Sequence, residues 1–224
     1  MSSNVFYNPV TITRRELNKE NAYNITKGYT VTNKADGQRS ALYVARDKRV
    51  LKITPQFQVT WTGIAAIGDT HVGDFIDGEY ISSNSLFCIF DIYRYRNRDI
   101  RQLPLLKSDE DTTKNPQNSR LGCAKLFVED LKTHFQMAPT QKPLRIETKL
   151  FLAGDGPSME EAIQTMLSTE FEYETDGLIF TPKSSPVAPA EDRKGKTWLR
   201  VYKWKPPHMN TIDFLLKISK EANQ

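Results

Sequence analysis

The chain has 224 residues, of which 38% are hydrophobic and 26% charged. That balance excludes a disordered tail and a membrane-spanning protein, and it leaves room for one large domain or two small ones with a real core. Lysine and arginine number 31 against 27 acids, for a formal charge of +4, too small an excess to identify a nucleic-acid binder by itself. The two cysteines, Cys88 and Cys123, form no CxxC pair, which excludes a disulfide scaffold and a four-cysteine zinc site. No basic-then-apolar leader opens the chain, and no apolar run approaches membrane-spanning length. The expectation is a soluble, non-secreted protein of a reducing compartment with no membrane partner.

Residues 1–28 are polar, with a short helix predicted to open at Arg14-Arg15-Glu16-Leu17. Two β-rich stretches follow, 29–33 and 40–45, and Asp36-Gly37 between them reads as a hairpin turn. Further short strands are predicted at 50–53, 58–62, 77–81 and 86–93, each bounded by Gly, Asn, Asp or Pro. Residues 107–118 form a polar loop. Leu121, Lys125, Val128, Leu131 and Phe135 recur at three- and four-residue steps and predict a helix over 119–137. A strand is expected at 144–152. Ser158 and Glu161 read as a capping box for a helix reaching about residue 168. Strands at 176–181 and 198–205 flank a surface loop, and Pro206-Pro207 ends the second. Strands and helices do not alternate regularly, which favours an α+β fold over a doubly wound sheet.

Five stretches carry candidate chemistry. In Lys34-Ala35-Asp36-Gly37-Gln38-Arg39 the lysine stands where a strand ends and a turn begins. Nearby cations or partial desolvation would lower its pKa, and a neutral lysine amine is a nucleophile. The planar fork of Arg39 suits a ribose or phosphate oxygen. Read alone, an ordinary hairpin explains this stretch equally well. In Asp77-Gly78-Glu79-Tyr80, strand alternation puts both acids on one face, where they suit a metal or a ribose hydroxyl; a second Asp-Gly turn is the plainer reading. The apolar run 86–91 ends in Phe90-Asp91, and Phe90 offers a face for a nucleobase, although alone it reads more readily as core. Asp176 opens Asp176-Gly177-Leu178-Ile179-Phe180 and suits Mg²⁺, a hard cation; Glu170, Glu172 and Glu174 before it read as a solvated face. In Tyr202-Lys203-Trp204-Lys205-Pro206, alternation puts Lys203 and Lys205 on one face, where phosphates need cations. A basic edge strand guarded against aggregation is the alternative.

Together and in this order, the five stretches resemble the motifs of the covalent nucleotidyltransferase superfamily, which comprises DNA and RNA ligases and mRNA capping enzymes. The first resembles KxDGxR, and the resemblance spans about residues 29–214. Lys203-Trp204-Lys205-Pro206, followed by Asn210-Thr211-Ile212-Asp213-Phe214, is similar to the KWKP…NTVDF stretch of RNA guanylyltransferases rather than of ligases. The wording of the motifs looks most like the multifunctional capping enzymes of large cytoplasmic DNA viruses, which implies a place in the cytoplasm or the virion.

The resemblance implies an α+β nucleotidyltransferase fold with antiparallel sheets around a nucleotide cleft, over residues 1–210. It implies that Lys34 attacks the α-phosphate of GTP, and that the lysyl-N-GMP adduct passes GMP to the 5′-diphosphate end of RNA. Lys34, Lys203 and Lys205 are then catalytic. Asp36, Arg39, Glu79, Phe90 and Asp176 join them in binding the nucleotide, and Asp176 and Glu79 hold Mg²⁺ or Mn²⁺. RNA would run over Arg193, Lys194, Lys196 and Arg200, or over Arg94, Arg96, Arg98 and Arg101; solvated loops explain both clusters equally well. The family continues into an OB-fold domain with a sixth motif. Residues 211–224 are expected to begin the connection to it, the OB-fold itself being absent, with triphosphatase and methyltransferase steps elsewhere in a longer polypeptide. Two alternatives stand: the adenylylating domain of a polynucleotide ligase, and a non-catalytic binding module.

Overall fold

A computed structural model describes residues 5–18, 20–107, 114–139 and 144–209. The expectations for 211–224, including Thr211 to Phe214, and for much of the 107–118 loop lie outside the described residues. Among the described residues, two sheets make up the molecule. The first sets β1 (Asn8–Thr11), β14 (Thr197–Trp204), β12 (Thr175–Pro182), β2 (Tyr29–Ala35) and β11 (Leu152–Gly154) side by side, with β13 (Arg193–Lys194) on β14. The second orders β10 (Arg145–Thr148), β7 (Leu86–Tyr95), β6 (Phe75–Ile81), β3 (Gln38–Val44), β4 (Arg49–Ile53), β5 (Val59–Ala66) and β9 (Phe135–Met137), with β8 (Arg98–Asp99) on β7. Pairing is antiparallel except for β1 with β14 and β10 with β7. The expected antiparallel α+β architecture is present. Among the described residues no helix is long and apolar enough to cross a membrane.

Each sheet buries one face under a helix. On the second sheet, α1 (Arg120–Asp130) seats Cys123, Ala124 and Phe127 against Leu42, Ile76 and Ile89. On the first, α2 (Pro157–Ser168) seats Met159, Ala162 and Met166 against Tyr29, Val31 and Phe180. Fully burying such a side chain contributes roughly 1.5–3 kcal/mol. Ala35 meets Ile81, Leu86 and Cys88 where the sheets join.

Five local expectations are corrected. The helix predicted over 119–137 ends at Asp130, and Phe135–Met137 is the edge strand β9 against β5. Ser119 caps it, accepting from the Gly122 N–H at 3.2 Å. Leu121 is buried and Val128 and Leu131 pack against the core as expected, but Lys125 is exposed, and Cys123, Ala124 and Phe127 complete the buried face. Ser158 is not a cap: Pro157 takes the first helical position after Gly156, and the Ser158 hydroxyl donates to the Asp155 carbonyl instead. The strand at 144–152 is two strands, β10 and β11, in different sheets. Asp36-Gly37 is not a hairpin turn, because β2 and β3 also belong to different sheets. The chain therefore passes from first sheet to second at 35–38 and back at 148–152. At Arg14–Leu17 the expected short helix is a 3-10 turn, capped by Thr13 and Glu16 reciprocally.

Candidate active site

The two crossings frame a cavity of about 290 Å³ between the sheets. Lys34, Arg39, Glu79, Phe90 and Lys203 of the predicted set line it, with Lys149, Asp91 and Tyr93. Lys34 is the last residue but one of β2, so its side chain leaves the first sheet at the first crossing. Its Nζ lies 2.6 Å from Asp176 Oδ1, and Lys205 Nζ lies 2.5 Å from Asp176 Oδ2. Lys34, Asp176 and Lys205 thus form one cluster, with Asp176 between two ammonium groups.

Two bulges aim the key side chains. In the β12–β2 ladder Thr175 pairs Ala35 and Leu178 pairs Asn33, so Asp176 and Gly177 together oppose the single residue Lys34. An extra residue on one strand bends it and redirects its side chains. Gly177 has φ +148°, and a Cβ there would lie 1.9 Å from the Trp204 carbonyl oxygen. Only glycine permits this approach of β12 to Trp204, which brings Lys205 to Asp176. In the β6–β7 ladder Asp77 pairs Asp91 and Gly78 pairs Ile89, which leaves Phe90 as the extra residue. Phe90 faces the cavity with the Arg39 guanidinium 5.2 Å from its ring centroid. Asp77-Gly78 is therefore part of strand β6 opposite a bulge, not a turn, and Asp176-Gly177 is itself the bulge in the expected strand.

Arg39 is held rather than free. Its Nη2 is 2.6 Å and its Nε 3.3 Å from the Asp77 carboxylate, and Nη1 donates to the Tyr7 carbonyl. Asp77 is fully buried and also accepts from the Tyr93 hydroxyl at 2.7 Å. The fork expected to grip a ribose or phosphate is thus committed in large part to the protein. Asp77 fixes Arg39 over Phe90. Asp36 is exposed and does not line the cavity; its backbone N–H donates to the Glu174 carbonyl at 2.9 Å, anchoring the crossing. Of the two expected RNA surfaces, Arg94, Arg96 and Arg101 bond Gly73, Asp130 and Asp99. Arg200 pairs Asp192 and Arg193 bonds Tyr7, while Lys194 and Lys196 are exposed.

The electrostatics separate the carboxylates. Burial raises Asp176, but hydrogen bonds from Lys205 and Lys34 outweigh it and hold the carboxyl below its ordinary range. Burial raises Glu79, against the pull of Lys149, Arg39 and Lys34. Asp176 and Glu79 are hard oxygen donors of the kind Mg²⁺ or Mn²⁺ accepts. Each Asp176 oxygen accepts from an ammonium group here, so Asp176 fits a cation once Lys34 turns away to the phosphate.

Sequence reasoning missed two residues. Lys149 is buried at the second crossing, where its Nζ donates to the Asn33 carbonyl and burial pulls it down to about 8. Lys149 falls inside the run 144–152 expected to be one strand; the break between β10 and β11 is what turns it inward. Arg120 is fully buried, with Nε 2.7 Å from Asp91 Oδ1, and braces the residue after Phe90. A charged first residue of a helix carries no sequence signal of this kind. The segment Asn8–Thr11 was also read as merely polar; as β1 it brings Tyr7 and Pro9 to the cavity.

Known proteins bear on this arrangement. An "mRNA-capping enzyme" of Caenorhabditis elegans is 27% identical over 96% of this chain and 34% of its own length. A "Probable mRNA-capping enzyme" of Acanthamoeba polyphaga mimivirus is 26% identical over 89% of the chain and 20% of its own. An "mRNA-capping enzyme subunit alpha" of Neurospora crassa is 23% identical over 94% and 53%. The chain thus spans between a fifth and about half of the length of these relatives. The ligase domain of M. tuberculosis LigD is similar over 79% of this chain and 53% of its own, at 12% identity and a TM-score of 0.44. The family described as "mRNA capping enzyme, catalytic domain" matches residues 6–207, nearly the whole of both sheets, and to that family this chain belongs.

Proposed function

We propose that this chain is an mRNA guanylyltransferase domain that takes GMP from GTP onto Lys34 and passes it to the 5′-diphosphate end of RNA. The observation that carries this reading is Lys34 at the mouth of a two-sheet cavity, clamped to Asp176 beside Lys205. In the first step Lys34 passes its ammonium proton to water, and Nζ bonds to the α-phosphorus as the bond to the pyrophosphate oxygen breaks. Lys203 and Lys205 offset the charge that develops on the phosphates. In the second step a terminal phosphate oxygen of the RNA displaces Lys34, which regains its proton and its partner Asp176. A divalent cation, when bound, supplies further charge neutralisation at the α-phosphate, and Asp176 would hold it. Phe90 and Ile179, both lining the cavity, supply apolar faces for the purine. Glu79 and the donors that Asp77 leaves to Arg39 serve the ribose. Exposed Lys194 and Lys196 make the stretch after residue 192 the better RNA surface. The OB-fold, triphosphatase and methyltransferase parts belong to other segments of a longer polypeptide, as the greater length of the relatives supports.

Incubation with α-labelled GTP or ATP and Mg²⁺, followed by denaturation, tests the reading. A labelled band with GTP, absent with Lys34→Ala, is expected. A band with ATP and none with GTP would make the chain the adenylylating domain of a ligase. Nucleotide-dependent thermal stabilisation run alongside reads binding where the adduct is slow.

A further inference from the structure

A second cluster lies away from the cleft. The loop before β6 and the turn after α1 bring together His71, Asp130 and His134, with ligand atoms all within 4.8 Å of one another. None of the three lines the nucleotide cavity. His71 is 1% exposed and Asp130 7%. His71 Nδ1 is 2.8 Å from Oδ2 of the buried Asp74. With Nδ1–H donating to Asp74, Nε2 is left to present a lone pair. That Nε2 is buried without a hydrogen-bond partner, and it faces Asp130 Oδ2 at 3.4 Å. Two acceptors therefore meet across a gap too long for a hydrogen bond. Two ligands at ~2.0–2.1 Å from a tetrahedral ion stand about 3.3–3.4 Å apart. The gap has that span.

We propose that His71, Asp130 and His134 form a binding site for a zinc-class divalent cation, distinct from the nucleotide cleft. His71 Nε2 and Asp130 Oδ2 are two ligands. His134 Nδ1 is the third, 3.7 Å from Asp130 Oδ1; it now contacts Thr133 Oγ1 at 2.8 Å, and its half-exposed ring is free to turn inward. The fourth position opens to water on the His134 side. The supporting shell is in place: Asp74 orients His71, and the Tyr95 hydroxyl donates to Asp130 Oδ2 at 2.7 Å. Phe135 and Phe127 pack on the His71 ring at 4.9 and 6.0 Å. Arg96 also grips Asp130, Nη2 on Oδ1 at 2.6 Å and Nε on Oδ2, the ligand atom, at 3.2 Å, and opposes a cation. Arg96 is about half-exposed, so it can swing aside into solvent as the ion enters. Two imidazoles select zinc, cobalt or nickel over magnesium and calcium. The ion would tie the end of α1 to the loop before β6, so it acts on stability.

Equilibrium dialysis of the chain against Zn²⁺ with metal analysis tests this, comparing wild type with His134→Ala, His71→Ala and Asp74→Asn. Wild type is expected to hold one equivalent more than His134→Ala. Asp74→Asn is expected to weaken binding about 10–100-fold. Co²⁺ should give wild type, and not His134→Ala, the strong visible d–d bands of a tetrahedral site. His134 is surface-exposed, so His134→Ala carries the test if His71→Ala fails to fold. Zinc bound at the carboxylates of the cleft is common to both proteins and cancels. Equal zinc in wild type and His134→Ala, or no zinc held at molar excess, would overturn the site.

Discussion

At the residue scale the site turns on one carboxylate shared by two lysines. Asp176 lies 2.6 Å from Lys34 and 2.5 Å from Lys205. Replacing it by Asn keeps the shape but removes the negative charge, and leaves two ammonium groups facing one amide. Lys34 then loses its fixed direction, and misplacement of a nucleophile by an ångström costs about 100-fold. We expect Asp176→Asn to slow lysyl-GMP formation by that order in a quenched time course while nucleotide binding persists. A rate within a few-fold of wild type would remove Asp176 from the positioning of Lys34. Lys149 makes a separate prediction. Burial pulls its ammonium from 10.5 down to about 8. Between those values the folded chain sheds the proton while the unfolded chain keeps it. Unfolding then takes up a proton, and stability rises with pH through that window. Urea unfolding at both ends of the window checks this: wild type should gain stability relative to Lys149→Met as pH rises, and a constant difference would contradict the buried charge.

At the element scale the bulges explain the dipeptides. Gly177 is where β12 meets the Trp204 carbonyl, with no room for a Cβ and with φ at +148°. Gly177→Ala forces the strands apart at the point where Lys205 reaches Asp176. A loss of about 3 kcal/mol in stability is expected, with adduct formation falling further than the stability loss accounts for. Unchanged melting would mean that β12 accommodates the methyl group. The same elements show what the sequence could reveal. Strand positions were legible because apolar alternation and Gly, Asn or Pro boundaries are local signals. Lys34, Glu79, Asp176 and Lys203 were legible because motif spacing carries chemistry. Sheet membership was not: Asp36-Gly37 has the composition of a hairpin turn, and only pairing with partners over a hundred residues distant decides that β2 joins β12 rather than β3. The run 144–152 hid its break for the same reason, and Lys149 with it. The α1 boundary was misjudged because Leu131 and Phe135 continue an apolar period that belongs to a turn and a strand.

At the scale of the molecule, among the described residues, the chain joins the sheets by just two crossings, 35–38 and 148–152, and each delivers a lysine to the cleft. A ligand between the sheets contacts both layers at once. Lys34, Ile179 and Lys203 come from the first sheet, and Arg39, Glu79 and Phe90 from the second. Its binding energy therefore acts against the opening of one sheet relative to the other, and the crossings are where that opening must be absorbed. On the proposed function, GTP at 100 times its Kd is expected to stabilise the folded state by about 2.7 kcal/mol, a rise of roughly 5–10 °C in melting temperature for a chain of this size. Hydrogen exchange should localise it: amides of 33–39 and 148–152 become slower with GTP, while those of β4 and β5, which do not line the cleft, change only as far as global unfolding governs them. Protection spread evenly over both sheets, or confined to one, would show that the nucleotide does not bridge them. The two-step transfer would then have to be rebuilt on a site held by a single layer.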